Sequence, residues 1–138
     1  DHGFDLITDR YRLAPIIAEL KSLGIRTSLF MDPDPKQIEL AAEIGANRIE
    51  LYTESFARAF PDRNLVNSIF ANYQMAAEVA SECGLGINAG HDLNLENLAK
   101  FCNLKNLLEV SIGHHLTVDA LEMGLENATK AYKKALST

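Results

Sequence analysis

Tryptophan is absent from this chain, cysteine occurs only twice, and no hydrophobic run approaches the ~18 residues that a membrane span needs. Cys83 and Cys102 lie far apart and outside any Cys-x-x-Cys or zinc spacing, which predicts two reduced thiols rather than a bridge or a metal site. Positive charge is also short: 13 Lys and Arg stand against 19 Asp and Glu, for a net charge of -6 and a pI near 5.1. That balance excludes nonspecific nucleic-acid binding, which needs a basic surface, but leaves room for a small cationic pocket that takes a phosphate. The amino end, Asp1-His2-Gly3-Phe4-Asp5, carries no signal-peptide pattern. A cytoplasmic protein with neither a membrane nor a nucleic-acid partner is expected. What is present, 138 residues of which 47% are hydrophobic and 23% charged, is enough for one globular domain over 1–138 and lacks the composition of disorder.

Hydrophobic periodicity divides the chain. Leu13, Ile16, Ile17, Leu20 and Leu23 fall at helical spacing within a helix read from Tyr11 to Leu23, and Gly24 follows it. Ile25 to Met31 reads as a strand that stops at Asp32-Pro33-Asp34-Pro35, where Asp34 can cap a helix running to about Ile44. Arg48 to Tyr52 is a second strand, with Glu50 as a carboxylate among apolar neighbours. Thr53 to Asn64 is long for a connection and reads as a functional loop or a short extra helix. Asn64 is the expected cap of a strong amphipathic helix whose stripe includes Val66, Ile69, Phe70, Tyr73, Ala76, Ala77 and Ala80. Strands follow at Leu85 to Ala89 and Leu107 to Ile112, separated by a short helix near Leu95 to Phe101. Two more helices are expected, at about Thr117 to Met123 and Leu125 to Leu136.

The chemistry concentrates in two of the strand ends. Gly86-Ile87-Asn88-Ala89-Gly90-His91-Asp92 and Val110-Ser111-Ile112-Gly113-His114-His115 both carry a short apolar run into Gly-His. Each places a backbone without side-chain bulk beside a titratable imidazole where a strand leaves its sheet. Asn94 and Thr117 are candidate caps of the helices that follow, so both loops should face one end of one sheet. Four successive β-α units imply parallel strands, and in such folds ligands bind at the carboxyl ends. Two architectures fit this α/β pattern: an open doubly wound sheet, or half of a (β/α)8 barrel, whose whole needs roughly 250 residues.

Ile49-Glu50-Leu51-Tyr52-Thr53, Ile87-Asn88-Ala89-Gly90-His91 and Ile112-Gly113-His114 together resemble the last three strand ends of the pyridoxine 5′-phosphate synthase family. Gly3-Phe4-Asp5 and Ser28-Leu29-Phe30-Met31-Asp32 resemble it at matching order and spacing. The resemblance implies a TIM-type (β/α)8 barrel of which this chain is the carboxy-terminal half. It implies condensation of 1-deoxy-D-xylulose 5-phosphate with 3-amino-2-oxopropyl phosphate to pyridoxine 5′-phosphate, phosphate and water, in vitamin B6 biosynthesis, without a metal or other cofactor. His91 matches the family's proton donor, Glu50 an active-site glutamate, and Gly113 with His114 a substrate-binding pair. Gly90 and Asp92 flank His91 as candidate substrate and phosphate contacts, although Asp92 stands where the family often has a binding glycine. Tyr52 and Glu54 replace a frequent His and Gly.

Each candidate also has a structural reading. His91 and His114 could be loop or capping residues, Asn88 could merely satisfy buried backbone, and Glu50 could be a buried acid paired with Arg48 or Arg26. His2 and His115 are read as structural, and Arg26 and Arg48 begin their strands at the end opposite the loops. An alternative to the synthase is a non-catalytic α/β module that binds a phosphorylated metabolite. The synthase reading expects small phosphorylated substrates, a homo-oligomer when intact, and no activity from the isolated piece, because the base histidine and much of substrate binding belong to the family's first half. Exposed edges on the first and last strands would favour association.

Overall fold

A computed structural model of the chain describes residues 2–137. Asp5 opens α1 (Leu6–Ser22) by accepting the Ile7 amide, so the helix starts ahead of Tyr11 and buries Leu6 as well as Leu13 and Ile17. The first strand is correspondingly shorter than its apolar run: β1 spans Ser28–Met31, while Ile25 stays exposed in the connection. Asp34 and Pro35 start α2 (Pro35–Glu43), with the Asp34 carboxylate accepting the Lys36 and Gln37 amides. After β2 (Arg48–Tyr52), the stretch read as a loop or short helix contains α3 (Glu54–Ala59). The long amphipathic helix α4 (Arg63–Glu82) is capped by Asp62 and not by Asn64. The Asp62 carboxylate accepts both the Asn64 and Leu65 amides, which leaves Asn64 inside the first turn. The chain then forms β3 (Gly86–Gly90), α5 (Leu98–Phe101), β4 (Leu107–Ser111), α6 (His114–Met123) and α7 (Leu125–Ala135).

All four strands are parallel and their spatial order is β1-β2-β3-β4. Every crossover therefore advances to the next position in the same direction. With right-handed connections, this places the connecting helices on one face, and α1, α2 and α4 pack side by side there. A doubly wound sheet instead reverses its order at a switch point and carries helices on both faces. The sequential order is that of an arc of a (β/α) barrel, and it decides between the two architectures.

Strand register sorts the side chains. Leu29, Ile49 and Ile87 form one buried row against the helices, and Met31, Leu51 and Ala89 form another. The residues between them, Phe30, Glu50 and Asn88 in one row and Tyr52 with Gly90 in the next, point to the opposite, open face. Between β3 and β4 the register shifts at Ile87/Asn88, so that Leu107 opposes Ile87 while Glu109 opposes Asn88. Leu108 is left out of the pairing and is exposed. This bulge turns Glu109 and Ser111 onto the open face beside Asn88 and Gly90.

Behind the sheet, α3 serves as core. Phe56 is fully buried and meets Phe101 at 5.0 Å and Phe70 at 5.8 Å between ring centroids, and Tyr73 packs edge-on to Phe101 at 5.3 Å. The Tyr73 hydroxyl donates to the Tyr52 carbonyl at 2.6 Å and meets Ser55 Oγ at 2.8 Å, which ties the aromatic cluster to the end of β2. Burial pushes the Tyr73 phenol up to about 12, so it remains a donor. Cys83 and Cys102 are both free thiols, as their spacing predicts. Among the described residues no helix is long and apolar enough to cross a membrane.

The chain also approaches itself closely ahead of α1. The Phe4 amide donates to the Phe30 carbonyl at 2.8 Å, and Gly3 lies so near the end of β1 that a Cβ would come 2.5 Å from Met31 Cα and closer still to the Asp32 amide nitrogen. Both neighbours are backbone and cannot swing away. Gly3→Ala is therefore expected to lower stability by about 1–3 kcal/mol, the usual cost of forcing extra atoms into a packed site. Chemical denaturation of the two proteins checks this; equal midpoints would show that the segment does not seat against β1 in solution.

Candidate active site at the carboxyl ends of the strands

The open face is layered along the strands. At its lower end Arg48 lies across Gly86, where a Cβ would fall 2.8 Å from Arg48 Cγ. The guanidinium donates to Asn88 Oδ1 at 3.0 Å and pairs with Glu109 at 2.9 Å, while Arg26 reaches the other Glu109 oxygen at 3.5 Å. Both arginines are thus engaged by Glu109, and neither pairs with Glu50. The alternative that made Glu50 a structural acid held by Arg48 or Arg26 is not what the chain forms. Sequence reasoning missed Glu109 because the bulge that brings it to this face breaks the period-2 pattern of β4.

Glu50 sits one layer higher. Its carboxylate lies over Gly90, where an added Cβ would be 2.5 Å from Glu50 Oε1 and 3.1 Å from Ser111 Cβ. Gly90 is therefore the absence that makes room for the acid, and Ser111 Oγ donates to Glu50 Oε2 at 3.4 Å. Among the described residues Glu50 has no ion-pair partner, so its charge is available to whatever occupies the face.

His91 follows directly, on a backbone that L residues rarely adopt. His91 has φ +85° and Asp92 φ +56°, two consecutive left-handed residues without a glycine between them. Two buried polar side chains hold this turn. Thr53 Oγ1 shares its one hydroxyl proton between the Gly90 carbonyl, at 2.8 Å, and the His91 carbonyl. Asn97 Nδ2 donates to the Asp92 carbonyl at 3.1 Å, while its Oδ1 accepts the Asn94 amide at 2.9 Å. Asn94 accepts the Glu96 and Asn97 amides, but the cap position of α5 itself belongs to Asn97. Thr53 and Asn97 carried no recognisable signal in sequence, since their function is to satisfy carbonyls that only the folded loop exposes.

The His91 ring packs against Tyr52 in a T-shaped contact at 4.8 Å, and Tyr52 in turn meets Phe30 at 5.1 Å. Loss of solvent, then the carboxylates of Glu54, Asp92 and Asp32, push the Tyr52 phenol above its ordinary value. His91 Nδ1 lies 3.1 Å from Asp92 Oδ2. On the next strand end Gly113 occupies the cap position of α6, which begins at His114, so Thr117 lies within that helix and is not its cap. The Thr117 amide already bonds the Gly113 carbonyl. A Cβ at Gly113 would meet open space, and the His114 ring packs against His115 at 5.4 Å. The fold therefore gathers Glu50, Gly90, His91 and Asp92 around the ends of β2 and β3, with Gly113 and His114 at the end of β4 beside them.

The family described as "Pyridoxal phosphate biosynthesis protein PdxJ" matches residues 1–138. A protein of Christiangramia forsetii named pyridoxine 5'-phosphate synthase is 51% identical over 137 residues, which cover 99% of this chain and 57% of that relative. Its namesake in Flavobacterium johnsoniae is 50% identical over 135 residues, covering 97% of this chain and 56% of the relative. A third of the same name, from Albidiferax ferrireducens, is 43% identical over 138 residues, covering 99% and 54%. The chain thus spans about half the length of the curated relatives it matches.

The Thr53 clamp can be tested without any substrate. Thr53→Val keeps the shape but removes the hydroxyl that serves two carbonyls, which should cost about 1–3 kcal/mol. Amide hydrogen exchange in residues 91–97 should accelerate more than in β2 or α4. Uniform exchange across all three regions would mean that the loop holds its turn without Thr53.

Proposed function

The chain belongs to the family of the pyridoxal phosphate biosynthesis protein PdxJ, and we propose on that premise that it is the carboxy-terminal half of a (β/α)8 pyridoxine 5′-phosphate synthase. The reaction proposed is condensation of 1-deoxy-D-xylulose 5-phosphate with 3-amino-2-oxopropyl phosphate to pyridoxine 5′-phosphate, phosphate and water. The observation that carries this reading is the placement of Glu50 over Gly90, directly before His91. A carboxylate without a cation partner and an imidazole at neighbouring strand ends suit a ring closure that passes through cationic nitrogen intermediates and expels hydroxyl groups.

His91 is proposed as the proton donor. Each dehydration breaks a C–O bond, whose electron pair stays on oxygen, and the imidazole proton converts the departing hydroxyl to water. Glu50 supplies negative charge beside the nitrogen as it becomes cationic. Gly113 and His114 are proposed to receive a phosphate: α6 starts at His114, so the free amides of its first turn lie at the strand end, and the open space at Gly113 lets an anion approach them. For the region around Gly90 and Asp92, the backbone is the proposed substrate contact, because the Asp92 carboxylate would repel a phosphate. The transferase-type synthase, its cytoplasmic location, its homo-oligomeric assembly and the inactivity of the 138-residue piece alone belong to the same proposal.

The rival reading, a binding module without catalysis, makes a different prediction for the complete reading frame that carries this chain. A synthase should convert the two substrates to pyridoxine 5′-phosphate; a binding module should retain them unchanged. His91→Asn in that protein should keep the fold, since Asn tolerates the left-handed backbone that His91 occupies. Turnover should fall ~100- to 10,000-fold with a modest change in KM, the usual contribution of general acid catalysis. A near-normal kcat would remove His91 from the mechanism.

A further inference from the structure

We propose that Asp92 is a positioning residue for His91, its carboxylate keeping the ring proton on Nδ1 so that Nε2 is the nitrogen that exchanges a proton with substrate. The inference rests on the assignment of His91 as proton donor given above.

Neighbouring residues in extended backbone point to opposite sides and cannot touch. Here the left-handed pair at His91 and Asp92 turns the two side chains together, bringing Asp92 Oδ2 to 3.1 Å from His91 Nδ1. Such conformations cost free energy and persist only where the surroundings impose them. Thr53 and Asn97 do so, by holding the carbonyls of Gly90, His91 and Asp92. An ionised carboxylate can only accept, so the nitrogen facing it is the one favoured to carry hydrogen. Tyr52 packs T-shaped against the imidazole at 4.8 Å. When His91 gives its Nε2 proton to a leaving hydroxyl, the neutral ring that remains is the Nδ1–H form. It regains the Nε2 proton from solvent, and no ring flip is needed between successive proton transfers.

The tautomer is directly readable by imidazole nitrogen NMR of the complete protein, followed into alkaline buffer. Wild type should show His91 as the Nδ1–H form. Asp92→Gly is the decisive variant, because glycine accepts φ +56° without strain and the fold is retained. It should shift His91 to the Nε2–H form that free imidazole side chains favour. Asp92→Asn, whose amide oxygen can still accept from Nδ1, should restore the Nδ1–H form. In the synthase assay Asp92→Gly should lower kcat on the order of tenfold. A purely structural Asp92 would change the melting temperature and leave the tautomer alone. Because the tautomer is read without turnover, a wild-type protein that fails to make pyridoxine 5′-phosphate counts against the function and not against the pairing. An unchanged His91 tautomer in Asp92→Gly overturns the pairing whatever the assay returns.

Discussion

Glu50 and Gly90 take their place at the candidate site from the parallel register, in which Glu50 lies beside Asn88 and Tyr52 beside Gly90. The register is held from behind, because sliding a strand by one residue would carry Leu29, Met31, Ile49, Leu51, Ile87 and Ala89 out of the helix-facing core and polar groups into it. Burial of apolar surface on one face thus sets the chemistry of the other. The one departure, the bulge before Asn88, has a local consequence of the same kind: it moves Glu109 to the face where Arg48 and Arg26 can reach it.

That ion-pair group shapes the electrostatics of the whole face. Arg48 is largely covered and shares its guanidinium between Glu109 and Asn88, so an unpaired charge is not left at the lower end of the sheet. The upper layer is left with an acid, an imidazole and a second carboxylate: Glu50, His91 and Asp92. The net charge of -6 gives this chain a general field that disfavours anions, so the phosphate contact proposed at this end is with backbone amides and not with that field. The first turn of α6 provides such amides, and its start at His114 brings them as close to the strand end as the chain allows.

Strain and its compensation meet at the loop after β3. Two left-handed non-glycine residues are disfavoured on their own, and buried Thr53 and Asn97 are disfavoured unless they find partners. Each problem answers the other, since the turned loop presents carbonyls to the two buried donors. Tyr73 extends the same arrangement into the core by donating to the Tyr52 carbonyl, immediately before Thr53 in the chain. The loop that carries His91 is in this way connected through hydrogen bonds to the aromatic cluster under α3 and α4.

By itself the sequence determined what depends on local pattern: the succession of β-α units, the apolar stripe of α4, the Asp34 cap, the free cysteines, and the two Gly-His strand ends, because a helix or strand period and a turn residue act over a few neighbours. It also carried the resemblance that the family match bears out. Where two local signals competed, only the folded chain chose. Asp62 rather than Asn64 caps α4, and α6 begins at His114 rather than after Thr117, since the better cap is decided by which amides the incoming loop delivers. The sequential strand order, the bulge that turns Glu109, the pairing of both arginines away from Glu50, and the contact of Asp92 with His91 belong to tertiary structure alone. Each joins groups whose meeting depends on register or on a strained backbone, and neither quantity is encoded in the identity of a residue and its near neighbours.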